Sequence, residues 1–380
     1  MISTYPPTQC GIATFARSLT EGLDSQGAEV GVARLVDKPQ LRPSAVVVHQ
    51  HIAGVPPFAT TTILNSYDVV IVQHEFGIFD GHDGDEVLGI MAGLRVPIIL
   101  VTHTVISNPR LHQRYVFQHA LDLASSVVTM TEAGRRALIR NYQIEPRKVR
   151  VIPHGSADLR SSNSRGAADD APVVLTWGLL GRGKGIEWGI DAMRMLQDDG
   201  ISARYVIAGQ THPKVKSSEG EAYRESLRNR ATALGVADKV EFIDSYLDSH
   251  SLASVIKEAT VLMLPYDSRD QVTSGVLIEA MVTGKPVIST RFPHAVELLG
   301  DGTGELVDQA DASGLAQALA RVLTDEAHAE SMRTLAQGKA ERFLWPSVAR
   351  DYLLLSEALV SDSGLRMSQR LVGVAELAVS

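Results

Sequence analysis

Residues 270–290, DQVTSGVLIEAMVTGKPVIST, concentrate side chains and backbone groups suited to holding an anion. Thr273, Ser274 and Gly275 form a polar turn that reads as the start of a short helix, and Glu279 lies one turn further in. The first N–H groups of a helix have no acceptor within it, and the helix dipole favours negative charge there. Backbone N–H groups at Ser274, Gly275 and Val276 would therefore hold a phosphate or diphosphate. Glu279 would reach a hydroxyl of the same ligand. Gly284 ends the helix, and the chain drops into the apolar strand Pro286–Ile288.

A second phosphate-binding pattern is GLLGRGKG, Gly178 to Gly185, after the apolar run Val173–Trp177. Glycines with Arg182 and Lys184 at a strand-to-helix turn read as a phosphate clamp, or else as a solvated basic loop. The pattern is neither a Walker A loop nor GxGxxG, so ATPase and dinucleotide-binding readings fit poorly. Near the N-terminus, Cys10 and Gly11 open a helix after a proline-rich turn, and Gly11 permits close approach of a ligand to the backbone. Cys10 reads as a small buried residue, since no base is tied to it.

Four histidines fall at expected strand ends: His49, His74, His103 and His154. Such ends border the ligand crevice of a parallel sheet. Zinc ligation and polar capping are the alternatives. No HExxH or paired-cysteine spacing accompanies them, so no metal is expected. Capping suits His49 and His51 best, and His103, followed by Thr104, is the one expected to contact substrate. Asp83 and Asp85 mimic a DxD metal motif but read as a loop and the start of a helix, where acids are favoured. A Ser-His-Asp hydrolase would need a GxSxG elbow that is missing.

The elements that must position these groups follow a repeated rhythm of apolar run and amphipathic segment, which reads as βαβ units. Strands are expected at 45–48, 68–72, 97–102, 126–130 and 149–152, then at 173–177, 203–208, 239–243, 260–264 and 286–290. Residues 161–171, SSNSRGAADDA, read as a linker. The expected parts are 1–160, the linker, 172–342, and C-terminal helices at 343–380. Two doubly wound sheets of this kind imply a cleft bordered by strand ends. Only Met1 and Ile2 precede the loop at Ser3–Pro7, which suggests a very short first strand or missing upstream residues.

The chain has 380 residues, 44% hydrophobic and 21% charged, ordinary values for a two-domain globular protein. A formal charge of −8 argues against broad nucleic-acid binding, and the lone cysteine suits a cytoplasmic location. No apolar run approaches the roughly 20 residues of a membrane span. Peripheral membrane contact stays open.

In order and spacing, PPTQCGIATF, VQHEFGIF, VTHTV, VIPHG, GKGIE and SGVLIEAM resemble the retaining glycosyltransferases of family 4. The similarity covers about 350 residues. It implies the GT-B fold, α/β with two Rossmann-like domains facing a central cleft. A nucleotide-diphosphate sugar would be held mainly by the second domain and an unidentified acceptor by the first. Carried over by position, Lys184 and the amides of Ser274, Gly275 and Val276 would bind the diphosphate. Glu279 would bind the ribose, His103 would contact the transferring sugar, and Gly11 would line the cleft floor. Tyr246 would pack against the base. The segment from Ser347 to Leu359 looks like the family's return to the first domain.

Two positions depart from the family pattern. Gln271 stands where an acid is usual, and Leu179 replaces the arginine after Gly178, with Arg182 as a possible substitute. Both read as subfamily traits. The resemblance implies metal-independent transfer with retention. A retaining sugar phosphorylase on the same fold, or a non-catalytic sugar-binding or partner-binding homologue, are the alternatives. Donor base, donor sugar, acceptor and oligomeric state are not readable from the residues.

Overall fold

The computed structural model describes residues 1–41, 44–160, 171–247, 249–268 and 273–377. Among them, two parallel sheets form the centres of two compact units. Strands buried on both faces need apolar residues at every position, and the runs seen in the sequence serve this purpose.

The first unit contains residues 1–155. Its strands are β1 (Ile2–Ser3), β2 (Val32–Val36), β3 (Val47–Ile52), β4 (Val70–His74), β5 (Ile98–Thr102), β6 (Ser126–Thr129) and β7 (Val149–Val151). They lie in the order β3-β2-β1-β4-β5-β6-β7. The helices are α1 (Gly11–Asp24), α2 (Phe58–Leu64), α3 (Glu86–Ala92), α4 (Leu111–Leu123) and α5 (Glu132–Asn141). The order reverses at β1/β4, the kind of switch point where doubly wound sheets bind ligands.

The second unit contains residues 156–344. Its strands β8 (Val173–Trp177), β9 (Arg204–Ala208), β10 (Val240–Ile243), β11 (Val261–Leu264), β12 (Val287–Thr290) and β13 (Glu305–Val307) take the order β10-β9-β8-β11-β12-β13. Helices α6 (Ile186–Asp198), α7 (Pro213–Glu219), α8 (Ala222–Ala233), α9 (Ser249–Glu258), α10 (Gly275–Val282), α11 (Pro293–Leu299), α12 (Ala312–Thr324) and α13 (Glu326–Ala340) connect and cover them. Alternation sorts the core: Val173, Leu175 and Trp177 join one cluster, while Val174 joins the cluster on the other face.

Helix α14 (Trp345–Leu377) returns the chain to the first unit. Val348, Ala349 and Tyr352 are fully buried in that unit's core with Phe15 and Leu19. Gln26 Nε2 donates to the Pro346 carbonyl at 3.0 Å. Of the expected linker 161–171, residues 161–170 lie outside the described residues. No helix of the described residues is long and apolar enough to cross a membrane.

Two strands escaped the sequence reading. β2 has Arg34 in its middle, which interrupts the apolar run. Its buried guanidinium is held by two bonds, Nε donating to the Tyr5 carbonyl at 3.0 Å and Nη2 to Thr8 Oγ1 at 3.1 Å, while Nη1 has no partner among the described residues. β13 is short and begins with Glu305, which pairs with Arg321 and His328.

Candidate functional site

In the second unit the loops after β8 and β11 leave neighbouring strands at the switch point. Gly185 adopts φ +61°, and a Cβ there would collide with the Pro265 carbonyl oxygen. The Asp267 N–H donates to the Gly183 carbonyl at 3.2 Å. These close approaches bring Lys184 Nζ to 4.1 Å from the centroid of the Tyr266 ring. A cation over an aromatic face is attracted by the ring quadrupole while keeping N–H groups for a ligand. Tyr266 is itself buried and stacked on Phe292 at 5.3 Å.

The start of α10 departs from expectation at one residue. Ser274 is the N-cap, and its Oγ accepts from the Leu277 N–H at 3.2 Å. Its own backbone N–H donates to His294 Nδ1 at 2.9 Å. Ser274 therefore does not offer the expected free N–H to an anion, because the buried His294 on α11 already accepts it. The N–H groups of Gly275 and Val276 have no acceptor among the described residues, as the first turn of a helix dictates. The anion corner is thus narrower than the sequence suggested.

Glu279 lies on α10, and its Oε2 accepts from the Trp177 indole N–H at 3.1 Å. Burial raises the carboxyl above its ordinary pKa, and the indole bond acts in the opposite direction. One Glu279 oxygen is thereby fixed by the last residue of β8.

Arg182 is 75% exposed, with Nε 3.6 Å from Glu219 Oε2. It stands at the rim of the loop and would have to exchange Glu219 for a ligand phosphate. Leu180, in the same loop, is buried in the core and bridges to Thr211. Tyr246 follows β10 and is 41% exposed. Gln271 lies outside the described residues.

In the first unit the expectation of four strand-end histidines is corrected. His49 lies inside β3, which runs on to Ile52 by pairing with β2. Its Nε2 is 3.0 Å from Thr60 Oγ1, and His51 Nδ1 meets the same hydroxyl at 2.7 Å. The Thr60 hydroxyl thus meets both rings. The other three do gather at strand ends. Phe15 of α1 packs edge-on against His103 at 4.9 Å and His154 at 5.0 Å. The His103 N–H donates to the His74 carbonyl at 3.1 Å.

Burial holds all three imidazoles neutral. It depresses His103 to about 3, helped by repulsion from His154 and His74, and depresses His74 and His154 each to about 4. His103 Nε2 is 2.7 Å from Gln73 Oε1, and Gln73 turns its amide nitrogen to Met1. That assignment makes Nε2 the protonated nitrogen and leaves Nδ1 an acceptor. Cys10 caps α1 through its sulfur, which accepts from the Ala13 N–H at 3.4 Å. At Gly11 a Cβ would meet nothing within 4 Å, so protein packing does not require glycine there. Among the described residues, the histidine and carboxylate group close enough to share an ion is His82, Asp83 and His112.

Three residues central to this geometry were missed in the sequence: Trp177, Tyr266 and His294. Trp177 and Tyr266 read as apolar strand and loop residues. His294, two residues into PHAVELL after β12, carried the best signal, a titratable residue at a strand-to-helix turn.

Residues 159–339 match the family model described as Glycosyl transferases group 1. Residues 10–156 match the model described as Glycosyltransferase Family 4. Among curated relatives, a D-inositol 3-phosphate glycosyltransferase of Corynebacterium efficiens is 27% identical over 70% of this chain and 67% of its own length. The enzyme of that name from Acidothermus cellulolyticus is 30% identical over 65% of this chain and 56% of its own. An alpha-D-kanosaminyltransferase of Streptomyces kanamyceticus is 26% identical over 58% of this chain and 56% of its own. The match thus spans between 56% and 67% of these relatives' lengths.

Among solved structures, sucrose-phosphate synthase from Thermosynechococcus elongatus superposes with TM-score 0.73 at 20% identity, covering 95% of this chain and 98% of that one. Anabaena Alr3699/HepE in complex with UDP-glucose gives TM-score 0.72 at 16% identity, covering 94% and 98%. At such identities the likeness concerns the fold. With both halves matched by their family models and both sheets wound as that fold requires, the chain belongs to the family 4 glycosyltransferases of GT-B fold.

Proposed function

We propose that the protein moves a sugar from a nucleotide-diphosphate donor to an acceptor hydroxyl with retention of anomeric configuration. The observation that carries this reading is the group around α10. Lys184 is held over Tyr266, Gly275 and Val276 present N–H groups, and Glu279 is fixed by Trp177. These groups suit a diphosphate joined to a ribose. That Anabaena Alr3699/HepE is seen with UDP and with UDP-glucose supports a nucleotide-sugar donor.

In the proposed step the bond from the anomeric carbon to the donor phosphate oxygen breaks as the acceptor oxygen bonds to the same face. The acceptor proton passes to the departing diphosphate. Lys184 and the two amides stabilise the charge that builds there, with no metal required for that task. Neutral His103 offers Nδ1 to a hydroxyl of the transferring sugar, and Gly11 leaves room beside it. Tyr246 packs against the base, and Gln271 replaces the usual acid with an amide that can hydrogen-bond a sugar. The acceptor is a carbohydrate, small polyol or lipid-linked sugar, and the relatives named for inositol 3-phosphate make that compound the first to try. A cytoplasmic location belongs to the same proposal.

The test is a thermal-shift panel of UDP, GDP, ADP and inorganic phosphate, followed by turnover of the matching nucleotide sugars. One nucleoside diphosphate should raise the melting temperature, and Lys184→Ala should lower turnover at least about 100-fold. Stabilisation by inorganic phosphate alone would favour a phosphorylase. Binding without turnover of any sugar would favour a non-catalytic role.

A further inference from the structure

We propose that the loops following β4 and β5 form a divalent transition-metal site of the zinc class. Its ligands are His82 Nε2, Asp83 Oδ2 and His112 Nδ1, whose atoms lie within 4.8 Å of one another. His112 Nδ1 is 3.2 Å and His82 Nε2 is 3.6 Å from the same oxygen, Asp83 Oδ2. Zinc bonds nitrogen and oxygen at about 2.0–2.1 Å, which gives a tetrahedral ligand–ligand edge of about 3.3 Å. Both separations bracket that edge.

The carboxylate is placed, not incidental. Its side chain is only 6% exposed, although it sits in a surface turn. Arg110 Nη2 donates to Oδ1 at 2.6 Å, which fixes the carboxylate and leaves Oδ2 to the two imidazoles. Asp83 adopts φ +52°, a left-handed conformation that a non-glycine residue rarely takes. Gly81 and Gly84, at φ +82° and +75°, turn the chain on either side of it. Backbone strain of this kind persists where surrounding structure over-determines it. The other nitrogen of His112 faces Asp85 Oδ2 at 3.6 Å, within reach of the carboxylate–histidine–metal pattern that orients a ligand ring.

His82 and His112 come from segments 30 residues apart, so the ion would tie the turn at His82–Gly84 to the start of α4. Its fourth position would go to water or a ligand oxygen, because His82 is 69% exposed. This is a clip for two loops of the first unit, distinct from the diphosphate chemistry of the second. Metal binding here stands or falls independently of sugar transfer.

The experiment is calorimetric titration of zinc chloride into the full-length protein after chelator stripping, repeated with cobalt chloride and read by visible absorption. One tight equivalent is expected, with the strong visible bands of four-coordinate cobalt. His82→Ala and His112→Ala should each abolish it. Asp85→Asn should weaken it about 10-fold by loosening His112. His119→Ala, which removes an exposed histidine outside the cluster, should leave it intact. Circular dichroism checks each variant, and exposed His82 can be replaced without a hole in the core. Absence of a tight equivalent in the unaltered protein, or its survival in His82→Ala, would overturn the proposal.

Discussion

Trp177 donates its indole N–H to Glu279 Oε2 at 3.1 Å, fastening the last residue of β8 to α10. The acid assigned to the donor's ribose is therefore held from the strand that precedes the Lys184 loop. Trp177→Phe keeps an aromatic ring but removes the donor. Hydrogen bonds to charged groups are worth about 1.5–3 kcal/mol, so nucleoside-diphosphate affinity should fall at least about 10-fold. Titration calorimetry reads this directly. Unchanged affinity would show that Glu279 needs no such support.

His294 performs the corresponding task at the anion corner by accepting the Ser274 N–H. His294→Phe fills similar volume but leaves that N–H buried without its acceptor, a loss of about 1–3 kcal/mol. Urea unfolding should show the loss. His294→Gln, which restores an acceptor, should recover part of it.

At Gly185 a side chain has no room, because the Pro265 carbonyl occupies the place of a Cβ. Gly185→Ala must push apart the loops after β8 and β11, and Lys184 moves with them. A stability loss of about 1–3 kcal/mol is expected from the strained backbone, with a larger loss of nucleotide binding. Thermal unfolding with and without the nucleotide separates the two effects.

The neutral histidines give the protein an acid-sensitive stability. His74, His103 and His154 titrate near 4, 3 and 4 when folded, against 6.5 as the ordinary value. Between those limits the unfolded chain binds protons that the folded chain refuses. Their contribution is complete above pH 6.5 and is lost progressively as pH falls towards 4. Glu279 works with the opposite sign: its raised pKa contributes most below 4.5 and loses that contribution as pH rises through the folded value. Melting temperature should drop between pH 7 and pH 5, and His103→Gln should flatten that drop.

The fold was legible because most strands are uninterrupted apolar runs whose ends the sequence marks with glycine, proline or histidine. Where a strand carries its own charge, as β2 does at Arg34, the pattern disappears, since the groups that accept its hydrogen bonds are distant in sequence. The site was legible in its cations and glycines, because a cationic, glycine-rich turn after a strand has few other uses. Its supports were not. Trp177, Tyr266 and His294 act through groups 102, 82 and 20 residues away, and no local pattern announces such pairings. The same holds for His82 and His112, which only the folded loops bring together.

The return of the chain at Trp345 has a consequence for the order in which the protein is made. The first unit's core includes Phe15 and Leu19 and is walled by Val348, Ala349 and Tyr352. During synthesis those three residues emerge only after all of 156–344 has left the ribosome. The second unit, whose ends already meet through the Ser156 N–H and the Phe343 carbonyl at 2.7 Å, has everything it needs earlier. The first unit is thus completed after the second, with the core face around Phe15 and Leu19 exposed to chaperones and proteases until α14 emerges.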